Sequence, residues 1–110
     1  YIDYNKTISI AKNIDRFENI RQWSNKRNIL QKGDIKTQLI KLYEETGELA
    51  KAVLEKDEKE IIDAIGDSII VLTNLAYFAG TTIEDCIDSA YKEISNRTGK
   101  MINGTFIKDE

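Results

Sequence analysis

The stretch Glu44-Glu-Thr-Gly-Glu-Leu-Ala-Lys-Ala-Val-Leu-Glu-Lys-Asp-Glu-Lys-Glu-Ile-Ile-Asp-Ala-Ile-Gly-Asp-Ser-Ile-Ile70 decides how the rest of the chain is read. It holds nine carboxylates and three lysines, and it runs directly into an apolar segment. Its apolar residues recur at spacings of three and four, the period of a helix that buries one face. Asp57 followed by Glu60 is an acidic form of the capping box, so one helix ends and another begins inside this stretch. Two acidic helices joined by a short turn must lie antiparallel.

Outward from that turn the same period continues, and proline is absent from all 110 residues. The pattern predicts four helices. The first spans about residues 14–30, with Ile14, Phe17, Ile20, Trp23 and Leu30 inward, and stops at Gly33, after which Asp34 caps the second. The second runs over 35–55 and buries Ile35, Leu39, Leu42, Leu49 and Val53. The third extends to Ala79 with Gly80 as its stop, and Thr81 with Glu84 opens the fourth. The expected fold is all-α, an antiparallel four-helix bundle in a single domain over 1–110. At the end of the chain, Asn103-Gly104 between short apolar pairs is a hairpin turn signal, and either a small β-hairpin or an unpaired end fits it.

Composition excludes several chemistries. There is no histidine, which removes Ser-His-Asp and Cys-His nucleophiles and every His-ligated metal site. The single Cys86 excludes an internal disulfide and falls at a core-like helical position. No uninterrupted apolar run reaches the roughly 20 residues of a bilayer span, so the expected setting is cytoplasmic, with no membrane partner. A net charge of −3 and no basic stripe interleaved with aromatics argue against nucleic acid.

Charge is nevertheless separated along the chain. Residues 16–41 carry seven Lys and Arg against two acids, whereas 44–67 are strongly acidic. On the second helix Glu44, Glu45 and Glu48 project from adjacent turns; on the third, Glu60, Asp63, Asp67 and Asn74 share a stripe that continues into Val71 and Phe78. An unpaired Asp67 in so apolar a helix would cost several kcal/mol. A salt bridge, a shared proton or a metal ion can relieve it. Oxygen-only ligands favour Mg²⁺, whose shell is commonly completed by water and phosphate.

These residues resemble the MazG-like nucleotide pyrophosphohydrolases, within the all-α superfamily that includes dimeric dUTPases. The likeness rests on Glu45-x-x-Glu48, on "KLYEETGELAKAV" and "DAIGDSIIVL", on Trp23 before "NKRNIL", and on "AYKEISNRTGKM"; it covers about residues 14–100. The family's second motif, E-x-x-D, ends on Asp67, but its Glu falls on Ala64, with Asp63 one residue earlier as a substitute. The resemblance implies Mg²⁺-dependent hydrolysis of an NTP or dNTP to the monophosphate and pyrophosphate, with Mn²⁺ as an alternative ion. It implies Glu45, Glu48, Asp63 and Asp67 as metal ligands and Glu44, Glu45 and Glu48 as the catalytic carboxylates. Lys92, Arg97 and Lys100 would neutralise phosphate, Asn96 would hydrogen-bond phosphate or sugar, and Trp23 would stack on the base or pack in the core. Family members assemble as dimers or tetramers, so a homodimer or homotetramer is expected. The competing expectations are a non-catalytic helical binding module and a dUTPase-like enzyme of the same fold.

Overall fold

A computed structural model describes residues 15–110. The described chain is mostly helical: α1 (Arg16–Lys26), α2 (Ile29–Lys32), α3 (Ile35–Glu55), α4 (Glu58–Phe78) and α5 (Ile83–Ile94) precede a hairpin of β1 (Gly99–Ile102) and β2 (Thr105–Lys108). The long helices begin at side-chain caps. Asp34 accepts from the Thr37 amide, and Asp57 from the Glu60 amide. Each cap satisfies a first-turn N–H that has no partner inside its helix.

α3 and α4 form the largest interface, and α1, α2 and α5 each add a smaller contact to α4. Only Lys56 and Asp57 separate the two helices, and Lys56 turns the chain in the left-handed region, at φ 57°. The helices approach through small residues: Ala52 on α3, and Ala64 and Ser68 on α4, are buried. The buried hydroxyls of Ser68 and Thr73 donate to carbonyls one turn back, so neither is left unpaired.

The expected first helix is divided. Asn28 takes a left-handed conformation, φ 63°, which ends α1 and starts the single turn of α2. Asparagine tolerates that region better than most residues, and a periodicity argument does not register it. Ile14 lies outside the described residues. At the end of α2, a Cβ on Gly33 would stand 2.5 Å from the Ile29 carbonyl and 3.2 Å from the Phe78 ring. Glycine is needed there for the chain to pass over the end of α4.

Several burial expectations do not hold in the protomer. Ile35, Leu39 and Val53 are 44–53% exposed, because α3 meets α4 along the line Gln38, Glu45, Ala52. Ile62, Ile65 and Ile69 on the far side of α4 are also uncovered. By length and composition α4 alone, among the described residues, would suffice to cross a bilayer; here its other side packs on α3. Cys86 is exposed rather than core, since α5 buries only Ile83. The cap of α5 is Thr82, accepting from the Asp85 amide, one residue later than the sequence suggests. Glu84 is thereby released to receive Arg21 in a two-pronged pair, at 2.6 and 2.7 Å, that ties α1 to α5.

The hairpin forms. Asn103 and Gly104 have φ of 51° and 79°, the two positive values of a type I′ turn, and Met101 stands opposite Phe106. Thr98 and Asp109 close its base through two hydrogen bonds. Met101, Ile102, Phe106 and Ile107 are all exposed.

Candidate active site

A groove of about 470 Å³ opens where α1 and α2 meet the flank of the α3–α4 pair. Its lining is mixed: Trp23, Ile29, Ile40 and Ile70 are apolar, and an acid wall on α3 and α4 carries Glu44, Glu45 and Asp67, with Lys41 beside them; Ile40 stands one turn from Glu44 and Ile70 one turn from Asp67. The volume lies within the usual range for a small-molecule site.

The acid wall follows from helical spacing. Lys41, Glu44, Glu45 and Glu48 occupy consecutive turns of α3, and Lys41 Nζ stands 3.5 Å from Glu44 and 3.4 Å from Glu45. Hydrogen bonds from Lys41 to Glu45 and then Glu44 raise the pKa of the ammonium. The lysine reaches only one side of Glu45. This residue is 7% exposed, and its Oε2 is buried with no hydrogen-bond partner. A buried carboxylate oxygen without a donor is costly, and it marks a position where a cation would be favourable.

The site residues expected from sequence separate into three sets. Glu44, Glu45, Asp67 and Trp23 come together in the groove. Glu48 and Asp63 are exposed on the same two helices and do not line it. Lys92, Asn96, Arg97 and Lys100 are exposed, and none lines the groove; Arg97 is 3.9 Å from Glu93. Among the described residues, no group of three or more acidic side chains is close enough to hold a metal ion. Asp67 is exposed, so the buried carboxylate is Glu45 instead.

Trp23 is not a core residue either. It is 45% exposed, with the Arg27 guanidinium 4.4 Å over its ring. Ala64, in contrast, is completely buried. A carboxylate at that position would have to enter the α3–α4 contact. One turn upstream, Glu60-x-x-Asp63 repeats the E-x-x-D spacing, a signal already present in the sequence that alignment on Asp67 obscures.

On the groove floor, a hydrogen bond from Asn74 across the helices is one of the two roles its place on the acidic stripe allows, the other being contact with metal-bound water; its partners Ser24 and Gln38 are not indicated by the sequence. Ser24 is fully buried, and its hydroxyl donates to Asn74 Oδ1 at 2.8 Å; Asn74 Nδ2 in turn donates to Gln38 Oε1 at 3.4 Å. Asn74 therefore serves as a cross-helix hydrogen-bonding group, and Gln38 lines the groove.

The protein is thus a mostly helical domain with a groove lined by carboxylates and a tryptophan. Comparison with known proteins is more specific: the model of the MazG nucleotide pyrophosphohydrolase domain matches residues 34–102, and the chain belongs to that family. The chain is also 41% identical over 59 residues to an uncharacterized 18.2 kDa protein in the rep-hol intergenic region of Haemophilus phage HP1 (strain HP1c1). That match covers 54% of this chain and 36% of the phage protein, so the chain spans little more than a third of that relative's length. No solved structure matches.

Proposed function

We propose that the protein hydrolyses a nucleoside triphosphate, NTP or dNTP, to its monophosphate and pyrophosphate in a Mg²⁺-dependent reaction. The observation that carries this reading is the buried, unpartnered Oε2 of Glu45, a residue that lines a groove shared by carboxylates and by the aromatic and apolar side chains of Trp23, Ile29, Ile40 and Ile70. A nucleotide has that polarity, with a flat base at one end and a cation-bound polyphosphate at the other.

The donor set suits a hard ion, because Glu44, Glu45 and Asp67 offer carboxylate oxygens and no thiolate or imidazole lines the groove. Glu45 and Asp67 line the groove and would hold it; Glu48 and Asp63, which stand outside the groove on the same two helices, would have to draw in toward the ion to join them. Bound there, Mg²⁺ supplies charge neutralisation for the phosphate oxygens. Glu44, exposed beside Glu45, is placed to orient the attacking water and accept its proton. Trp23 offers a stacking surface for the base. Lys92, Asn96, Arg97 and Lys100 are proposed to bind phosphate from a second copy of the chain, since they stand away from the groove of their own. That assignment requires a homodimer or homotetramer, which the uncovered Ile62, Ile65 and Ile69 also favour.

The test is to incubate the protein with a panel of NTPs and dNTPs plus Mg²⁺ and to measure pyrophosphate. Pyrophosphate release that depends on the ion is expected. Orthophosphate alone would exclude the proposed bond cleavage. No release and no Mg²⁺-dependent thermal shift would favour a non-catalytic binding module.

A further inference from the structure

We infer that Lys41 is the phosphate-binding cation of its own groove: paired with Glu44 and Glu45 as their counter-ion, it yields Glu45 to a divalent cation and turns to the phosphate held through that cation. The inference rests on the groove being the site of Mg²⁺ and nucleotide.

Charge in the groove is lopsided. Glu44, Glu45 and Asp67 line it, and against them stands one ammonium, that of Lys41, the only cationic side chain in the lining among the described residues. The other polar groups there, Thr37, Gln38 and Asn74, are neutral. A polyphosphate entering the groove meets net negative charge, and the one cation that could receive it is occupied by carboxylates.

That pairing is of a kind readily exchanged. Lys41 Nζ stands 3.4 Å from Glu45 Oε1 and 3.5 Å from Glu44 Oε2, both longer than the roughly 2.8 Å of a tight ammonium–carboxylate hydrogen bond. Lys41 precedes Glu45 by four residues, the weaker of the two orders for a helical ion pair, and its side chain is half-exposed. It also leaves Glu45 Oε2 buried and without a partner, so one ammonium does not complete this carboxylate. A divalent ion bound to Glu45 places a second, larger positive charge beside Nζ. Repulsion between the two favours departure of the lysine, whose flexible four-carbon stem lets the ammonium move while α3 stays in place. The anion then at hand is the phosphate held through the ion. Unlike Lys92, Arg97 and Lys100, Lys41 lines the groove of its own chain and needs no second copy to reach it.

Lys41→Met keeps most of the stem and removes the charge. Isothermal titration measures the binding of Mg²⁺ alone, then of inorganic pyrophosphate in saturating Mg²⁺, and a thermal melt checks the fold. Lys41→Met is expected to bind Mg²⁺ about fivefold more tightly, because a competing charge is gone. It is expected to bind pyrophosphate about tenfold more weakly, the worth of one charge-assisted hydrogen bond. KM for a triphosphate that the protein turns over should rise by a similar factor, with a smaller change in kcat. Lys41→Arg, which keeps the charge, should stay near the parent in both titrations. A lysine with a purely structural role would not move the two affinities in opposite directions.

In a folded Lys41→Met protein, Mg²⁺ affinity that is unchanged or lowered, or pyrophosphate affinity that is unchanged or raised, overturns the inference; pyrophosphate release by the parent then leaves the hydrolase reading standing. Opposite shifts of the two affinities without release of pyrophosphate from any triphosphate support the role of Lys41 and remove the hydrolase. A parent that binds neither Mg²⁺ nor pyrophosphate, and releases no pyrophosphate, overturns both.

Discussion

The α3–α4 pair and the segment from α5 to β2 treat burial in opposite ways. In the pair, the interior holds polar groups: Glu45, Ser68, Thr73 and Asn74 are all buried. In the C-terminal segment the reverse is true, with Ile87, Tyr91, Ile94, Met101, Phe106 and Ile107 all 47–66% exposed. A buried carboxylate with one oxygen unpartnered and an apolar hairpin without a cover are both incomplete arrangements. The first asks for a cation, the second for another surface. An isolated two-stranded hairpin is at best marginally stable in water, so its apolar side chains are better explained by a contact than by self-sufficiency.

The contrast can be broken most forcefully at the carboxylates. Glu45→Gln and Asp67→Asn are each expected to lower pyrophosphate release by about 100-fold or more. Glu48→Gln should act in the same direction. Circular dichroism should show the fold retained, and in metal-free buffer Glu45→Gln should melt no lower than the parent, because the buried carboxylate it removes has only one oxygen paired, with the half-exposed Lys41. Loss of fold in these variants would show that the acids act as structural ion pairs.

Ala64→Glu probes the same interface from its tightest point. With no exposure at Ala64, a carboxylate there is expected to cost about 3 kcal/mol in a denaturant titration. A gain in melting temperature on adding Mg²⁺ that exceeds the parent's would show that the introduced acid has joined the cation site. On the other side of the comparison, Arg97→Ala should raise KM about tenfold with a smaller change in kcat, if the exposed cation binds phosphate from a neighbouring copy. A monomer by light scattering at assay concentration would remove that role.

Smaller effects concern the joints. Asp57→Ala, which removes the cap at the α3–α4 turn, should cost about 1 kcal/mol. At the α1–α5 joint, the hydrogen bond from Arg21 holds the Glu84 carboxyl below its ordinary pKa. The folded value lies below the unfolded one, so this contribution is complete above the unfolded carboxylate range and is lost as pH falls through the folded value. Arg21→Ala should therefore lower the melting temperature at neutral pH, with the difference from the parent shrinking toward about pH 3.

Helix limits at Ile35–Glu55 and Glu58–Phe78 were legible because caps and periodicity agree there, and so was the hairpin, from Asn103-Gly104. The interior of the site was less so. Reading by large apolar residues put the inner face of α3 on Ile35, Leu39, Leu42, Leu49 and Val53; Leu42 and Leu49 are half-buried, but the other three are exposed, and the buried residues of α3 are Glu45 and Ala52. Small residues on both helices permit a close approach, and that approach encloses the neighbouring polar side chains. Which carboxylate becomes buried is decided by that rotation, so Glu45 rather than Asp67 was beyond a one-dimensional reading. The Ser24–Asn74–Gln38 chain joins residues as many as 50 positions apart, and no local pattern announces it.

The break at Arg27-Asn28 has a bearing on how such a site can diversify. The acid wall lies wholly on two helices adjacent in sequence, inside the matched residues 34–102, whereas Trp23, Ser24 and Ile29 precede them. The carboxylates of the groove and its Trp23 and Ile29 thus come from separate stretches of chain. A change in the length or turn of residues 27–33 would re-aim Trp23 while leaving the carboxylates in place.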